Sequence, residues 1–169
     1  APPQSPALQQ ALAAAKKSTN TSNVLKIGAA VAVIGIMATV VWVQNSPKLA
    51  FQDAASKAGI DASLPTYIPS SYHQSGPVSS SPGELVMAFT SPVSSALKIV
   101  QQATSWDANS LRDNYITRQT DNYLTVQGQG LTIYLYGNQA DWVNHGVWYQ
   151  VNGIAGLSRA EVLKIAYGL

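Results

Sequence analysis

Hydrophobic and polar positions divide the chain into stretches of different character. From Val24 to Val43 the run "VLKIGAAVAVIGIMATVVWV" is 20 residues long and carries a single charge, Lys26. A helix needs about 20 apolar residues to cross roughly 30 Å of hydrocarbon, so this run predicts one membrane-spanning helix. Lys26 near its start can snorkel to the headgroups, and Trp42 suits the opposite interface. A secretory signal has a shorter apolar core and a shorter leader. A buried helix that is hydrophobic all round would need more protein around it than the remaining chain supplies.

Beyond this run the periodicity alternates between that of helices and that of strands. In "SPKLAFQDAASKAG" Ser46 is placed as N-cap, Pro47 as first helical residue and Gly59 just past the end. Phe51, Ala54, Ala55 and Ala58 form one apolar face, which predicts a helix over 47–58. "LPTYIPSSYHQ" reads as an extended lead-in to a strand near Tyr72, because each residue before a proline is driven toward extended geometry. "ELVMAFT" (84–90) predicts a strand with Leu85, Met87 and Phe89 on one face, and "ALKIVQQAT" (96–104) a second. "DANSLRDNYI" is polar and predicts a short helix or turn.

Two hairpins follow. The first is centred on Gly128-Gln129-Gly130, with Leu131, Ile133 and Leu135 alternating with Thr132, Tyr134 and Tyr136. The second, "DWVNHGVWYQVNG", turns at Asn144-His145-Gly146. A two-residue turn sets Trp142 opposite Tyr149, and a three-residue turn sets it opposite Trp148. At the C-terminal side Ser158 and Glu161 have capping-box spacing, Leu157 and Val162 the staple, and Val162, Ile165, Ala166 and Leu169 one apolar side. The pattern as a whole predicts an α+β domain with an antiparallel sheet of about five to seven strands and two principal helices. The expected organisation is a cytoplasmic tail (1–23), the transmembrane helix (24–43), a juxtamembrane helix and linker (44–63) and an extracytoplasmic domain (64–169).

Charge sharpens this organisation. Residues 1–43 carry Lys16, Lys17 and Lys26 and no acid, whereas residues 44–169 have a net charge of −1. The basic character therefore belongs to the tail, which argues against nucleic-acid binding and places the N-terminus in the cytoplasm by the positive-inside rule. The chain has no cysteine, so disulfide and thiolate chemistry are excluded.

Candidate chemistry is sparse. The chain has two histidines, His73 and His145, and neither has acids at ligand spacing, so no metal or other cofactor is expected. Asp107, Asp113 and Asp121 fall in a polar stretch suited to helix capping and solvation. "GQG" joins two strands and precedes no helix, unlike a phosphate loop. The remaining candidates are aromatic. Tyr134, Tyr136 and Trp148 are expected to share the face opposite the leucines. With Trp142 they make the candidate partner or ligand surface, set against the plainer reading of core and strand-surface aromatics.

Taken in order, "LPTYIPSSYH", "LKIVQQAT", "LTVQGQGLTIYLYG", "DWVNHGVWYQVNG" and "LSRAEVLKIAYGL" resemble the bacterial extracytoplasmic domain of unknown function 4367, over about residues 60–169. This family commonly follows a single membrane span, sometimes behind an anti-sigma-factor segment. The resemblance implies a LolA-like fold, with a curved antiparallel sheet and helices against its concave side, and it implies no catalytic residues. The cytoplasmic part departs from such regulators, because its short tail lacks a His/Cys zinc motif. The expected function is non-enzymatic: an anchored outer domain that senses or binds an envelope partner. The alternatives are a carrier-like module holding a lipid or other apolar ligand in the sheet's concavity, and a structural envelope component without a ligand.

Overall fold

The computed structural model describes residues 47–169, which form one compact unit. The expected tail, the transmembrane run and the capping residue Ser46 lie outside the described residues. Among the described residues no helix is long and apolar enough to cross a membrane.

Helix α1 (Pro47–Ala58) buries Phe51, Ala54 and Ala58, the face expected from their spacing. Gly59 ends it with φ +67°, the left-handed geometry that glycine adopts without a Cβ penalty. An extended segment then leads to β1 (His73–Gln74) and β2 (Ser79–Ser81), followed by β3 (Glu84–Thr90) and β4 (Leu97–Ala103). Helix α2 runs through an α turn (Ala108–Leu111), a π turn (Arg112–Ile116) and a final turn (Thr117–Gln119). Strands β5 (Leu124–Gly128), β6 (Leu131–Tyr136), β7 (Gln139–Asn144) and β8 (Val147–Asn152) follow, then a 3-10 turn (Ile154–Gly156) and helix α3 (Arg159–Tyr167).

The strands make one curved antiparallel sheet of eight, more than the sequence pattern predicts, in the order β1-β3-β4-β8-β7-β6-β5 with β2 also on β3. The strand expected near Tyr72 is β1, and the extra one is the three-residue β2, too brief to leave an alternating signature. The two hairpins meet their neighbours across β4, which pairs with β8 from Lys98 opposite Asn152 to Ala103 opposite Val147.

One face of the sheet carries the main core. Leu85, Met87 and Phe89 of β3, Leu97 and Ile99 of β4, Ile133 of β6, and Val147, Tyr149 and Val151 of β8 pack with Phe51 of α1 and Val162, Ile165 and Ala166 of α3. The capping box of α3 is complete. Ser158 Oγ accepts from the Glu161 backbone N–H, and the Glu161 carboxylate accepts from the Ser158 N–H at 2.9 Å. Tyr167 at the end of α3 lies across Gly128 so closely that a Cβ there would collide with its hydroxyl, which is why β5 ends on glycine.

Gln101 is fully buried on this face, and its amide acts as a substitute strand edge. Oε1 accepts from Ser63 N–H at 2.8 Å and Nε2 donates to Ser63 O at 2.7 Å. The lead-in segment is thereby fixed across the core, and Thr66 N–H donates to Gly168 O at 3.0 Å to tie it to the end of α3.

The helices do not all lie on one side of the sheet. Helix α2, expected only as a short helix or turn, covers the opposite face and buries Leu111 and Ile116 against Tyr134 and Tyr136. Leu111 and Ile116 are five residues apart, a spacing that the i→i+5 bonding of the π turn brings to one side.

Candidate functional site

The second hairpin closes on His145-Gly146 with Asn144 opposite Val147, so the two-residue register holds. Trp142 therefore faces Tyr149, and their rings stack at 5.2 Å with 3° between planes. The first hairpin has the same construction, because Gly128 pairs with Leu131 and the turn is Gln129-Gly130 alone. With both registers set, alternation sends Trp142 to the main core and Tyr134, Tyr136, Asp141, Val143 and Trp148 to the face beneath α2.

The four aromatic candidates are thus divided. Trp142 is fully buried in the main core and takes no part in the opposite cluster. Tyr134 and Tyr136 are buried under α2, and only Trp148 of the four retains partial exposure. Their burial has a simple cause: α2 supplies the apolar cover that its polar sequence conceals. Trp148 sits at the rim of this cover, with Tyr115 edge-on at 4.6 Å and Trp106 tilted at 5.6 Å. Trp106, Tyr115 and Trp148 together form a half-buried aromatic rim.

At the centre of this arrangement is Asp141, a residue outside the sequence-derived candidates. It is completely buried. Its Oδ2 accepts from Tyr136 Oη at 2.8 Å and its Oδ1 accepts from Trp148 Nε1 at 2.8 Å. Among the described residues no Lys or Arg forms an ion pair with it. Burial pushes the carboxyl up to about 6, and the two hydrogen bonds pull in the opposite direction without prevailing. Burial and the neighbouring Asp141 charge raise the Tyr136 and Tyr115 hydroxyls. Burial raises Tyr134 as well, and its Oη donates to Ala108 O at 2.9 Å, tying the start of α2 to β6. The only signal for Asp141 in the sequence is its place between Ala140 and Trp142, where alternation sets it on the tyrosine face.

The other candidates are ordinary. Asp107 caps α2 by accepting from Ser110 N–H at 2.7 Å, and that bond lowers its carboxyl. Asp113 accepts from Arg112 Nε at 2.7 Å, and Asp121 is exposed. His73 lies exposed in β1, and His145 occupies the hairpin turn at φ +47°.

Two clefts lie at opposite ends of the β5–β6 hairpin. One, of about 350 Å³, is lined by Gln129, Leu131, His145, Tyr167 and Leu169 among others. The second, of about 260 Å³, lies beside Tyr123, Leu124, Leu135 and Ile154. Both mix polar and apolar walls.

A buried carboxylate held by a phenol and an indole, and paired with no Lys or Arg among the described residues, fixes the aromatic rim from beneath. Comparison of the chain with protein-family models, with curated proteins and with solved structures finds no match in any of the three.

Proposed function

We propose that this chain is a non-enzymatic, single-pass membrane protein, anchored by residues 24–43 with its N-terminus in the cytoplasm, whose outer domain binds a protein partner in the cell envelope. The ordered motifs that resemble the bacterial domain of unknown function 4367 support this reading. So does the apolar run, uncharged from Ile27 to Val43, that follows three lysines. The observation that carries it is the filling of the main sheet face. The carrier alternative needs an apolar cavity against the sheet, whereas Phe51, Trp142, Tyr149 and Ile165 pack together on this face. Binding then falls to the outer surface, and the rim of Trp106, Tyr115 and Trp148 has the composition of an interface anchor. Tyr and Trp bring large contact area with little rotamer entropy to lose, and they dominate binding hot spots.

A photo-crosslinking residue at position 106 in the full chain, in living cells, tests this. A discrete protein adduct is expected there and not from position 93, where the exposed Val93 lies outside both aromatic and apolar clusters. Absence of an adduct at 106 would overturn the reading. The carrier alternative has its own measurement, native mass spectrometry of the outer domain released from membranes by protease. The bare polypeptide mass is expected, and a stoichiometric acyl-lipid adduct would favour the carrier.

A further inference from the structure

The two edges of the sheet are built differently. On one side β3 is covered in pieces by β1 and β2, of two and three residues, with Gly76 and Pro77 between them. Short strands and proline are the usual means by which a sheet edge is closed to further pairing. The other edge is β5, five residues long, in unbroken register with β6 from Leu124 opposite Leu135 to Gly128 opposite Leu131. It has no proline and no bulge, and no charged residue occurs from Asn122 to Gly137.

The two-residue turn decides which backbone groups of β5 are free. Residues flanking such a turn form a hydrogen-bonded pair, so Gly128, Val126 and Leu124 direct their N–H and C=O groups toward β6. Thr125 and Gln127 direct theirs to the open edge. Among the described residues no turn or loop backbone group meets them.

We propose that β5 pairs antiparallel with β5 of a second copy of this chain, about a twofold axis at Val126. The two free residues are self-complementary at this spacing. Thr125 comes opposite Gln127 of the second copy, and Gln127 opposite Thr125 of the second copy. Each pair exchanges two hydrogen bonds, as an isologous contact requires. Val126 then meets its own counterpart in the close, non-hydrogen-bonded pair. No like charges are brought together, which would otherwise oppose the match. Leu124, 43% exposed in the single chain, comes opposite Gly128 of the second copy, which has no side chain of its own and is covered by the hydroxyl end of Tyr167. A foreign strand would find hydrogen-bonding groups here but no charge to select it. A second copy meets this uncharged strand without like-charge repulsion, in a register that the twofold axis fixes. This pairing does not depend on the function proposed above or on a membrane.

The chain has no cysteine, so a single introduced one has no competitor. Across a non-hydrogen-bonded pair the Cα atoms lie about 4.5 Å apart, within the disulfide range of about 4.4–6.8 Å. The full chain in detergent solution carrying Val126→Cys is expected to form a disulfide dimer under mild oxidation. It should do so at least roughly tenfold faster than the Val93→Cys chain, because pairing raises the local thiol concentration. Thr125→Pro removes an outward N–H and leaves the β5–β6 ladder intact. By sedimentation it should shift the parent's dimer toward monomer, with the circular dichroism spectrum unchanged. Crosslinking of Val126→Cys no faster than Val93→Cys, or a dimer population in a folded Thr125→Pro chain equal to the parent's, would overturn the proposal.

Discussion

Asp141 gives the domain a pH dependence whose sign follows from its burial. Its folded carboxyl lies at about 6, against about 3.9 for an unfolded chain. Between these values the folded chain holds a proton that the unfolded chain has released. The contribution is therefore fully present below about pH 4 and is lost as pH rises through about 6, an effect of roughly 3 kcal/mol. Asp107, Asp113 and Glu161, all lowered by hydrogen bonds, act with the opposite sign and only at more acidic pH. Asp141→Asn keeps an acceptor for Trp148 and gains a donor for Tyr136. Thermal unfolding from pH 5 to 7 should show a falling midpoint for the parent and a flat one for the variant, which should be the more stable at pH 7. The two tryptophans of this hairpin should separate in urea unfolding. Trp142→Ala empties a fully buried site and should cost about 3–5 kcal/mol. Trp148→Phe keeps a ring but leaves Oδ1 without its donor, and should cost about 1–3 kcal/mol. Alternation alone divides these residues between faces, but nothing in their types says that both faces are covered, so the burial of Asp141 was not legible.

Elements with strong local signals are those whose sequence pattern matches the structure most closely. Helix α1 is announced by proline, glycine and one apolar face, and α3 by a capping box and staple that are both local chemistry. The hairpins are announced by glycine, but their register needed the backbone, since His145 and Gln129 both take positive φ as the first residues of two-residue turns. Helix α2 was the least legible. Its π turn shifts Leu111 and Ile116 onto one side, so no ordinary helical period connects them. The Gln101–Ser63 pairing was illegible for a related reason, because a side chain there does what a backbone strand would do. Helix α3 buries Val162, Ile165 and Ala166 in the main core. Large apolar side chains contribute about 1.5–3 kcal/mol each, against about 5–15 kcal/mol for a whole domain. Removing residues 158–169 should therefore abolish the cooperative thermal transition.

At the scale of the whole molecule, one sheet separates two clusters of unlike character. The main cluster is aliphatic and aromatic and takes residues from α1, α3 and five strands. The cluster under α2 is small and dominated by Tyr and Trp around one carboxylate. The sequence foretold the α+β class and the antiparallel pairing, since hairpin signals dictate neighbours. It did not foretell cover on both faces, because that depends on the long return from β4 through α2 to β5, a connection without periodic signal. On the proposed topology, protease added to intact cells should remove the domain beyond residue 43 and spare the lysine-bearing tail. Digestion of the tail under those conditions would reverse the assigned orientation.

The bond from the Trp148 indole to Asp141 also has an optical consequence. Indole emission responds to a charge fixed at its N–H, so protonating this carboxylate should alter the light that Trp148 emits. In a chain with Trp106 and Trp142 changed to Phe, the emission of the outer domain should titrate near the carboxyl's own midpoint of about 6 and lose that step with Asp141→Asn. The domain would then report the ionisation of its buried acid without any added dye.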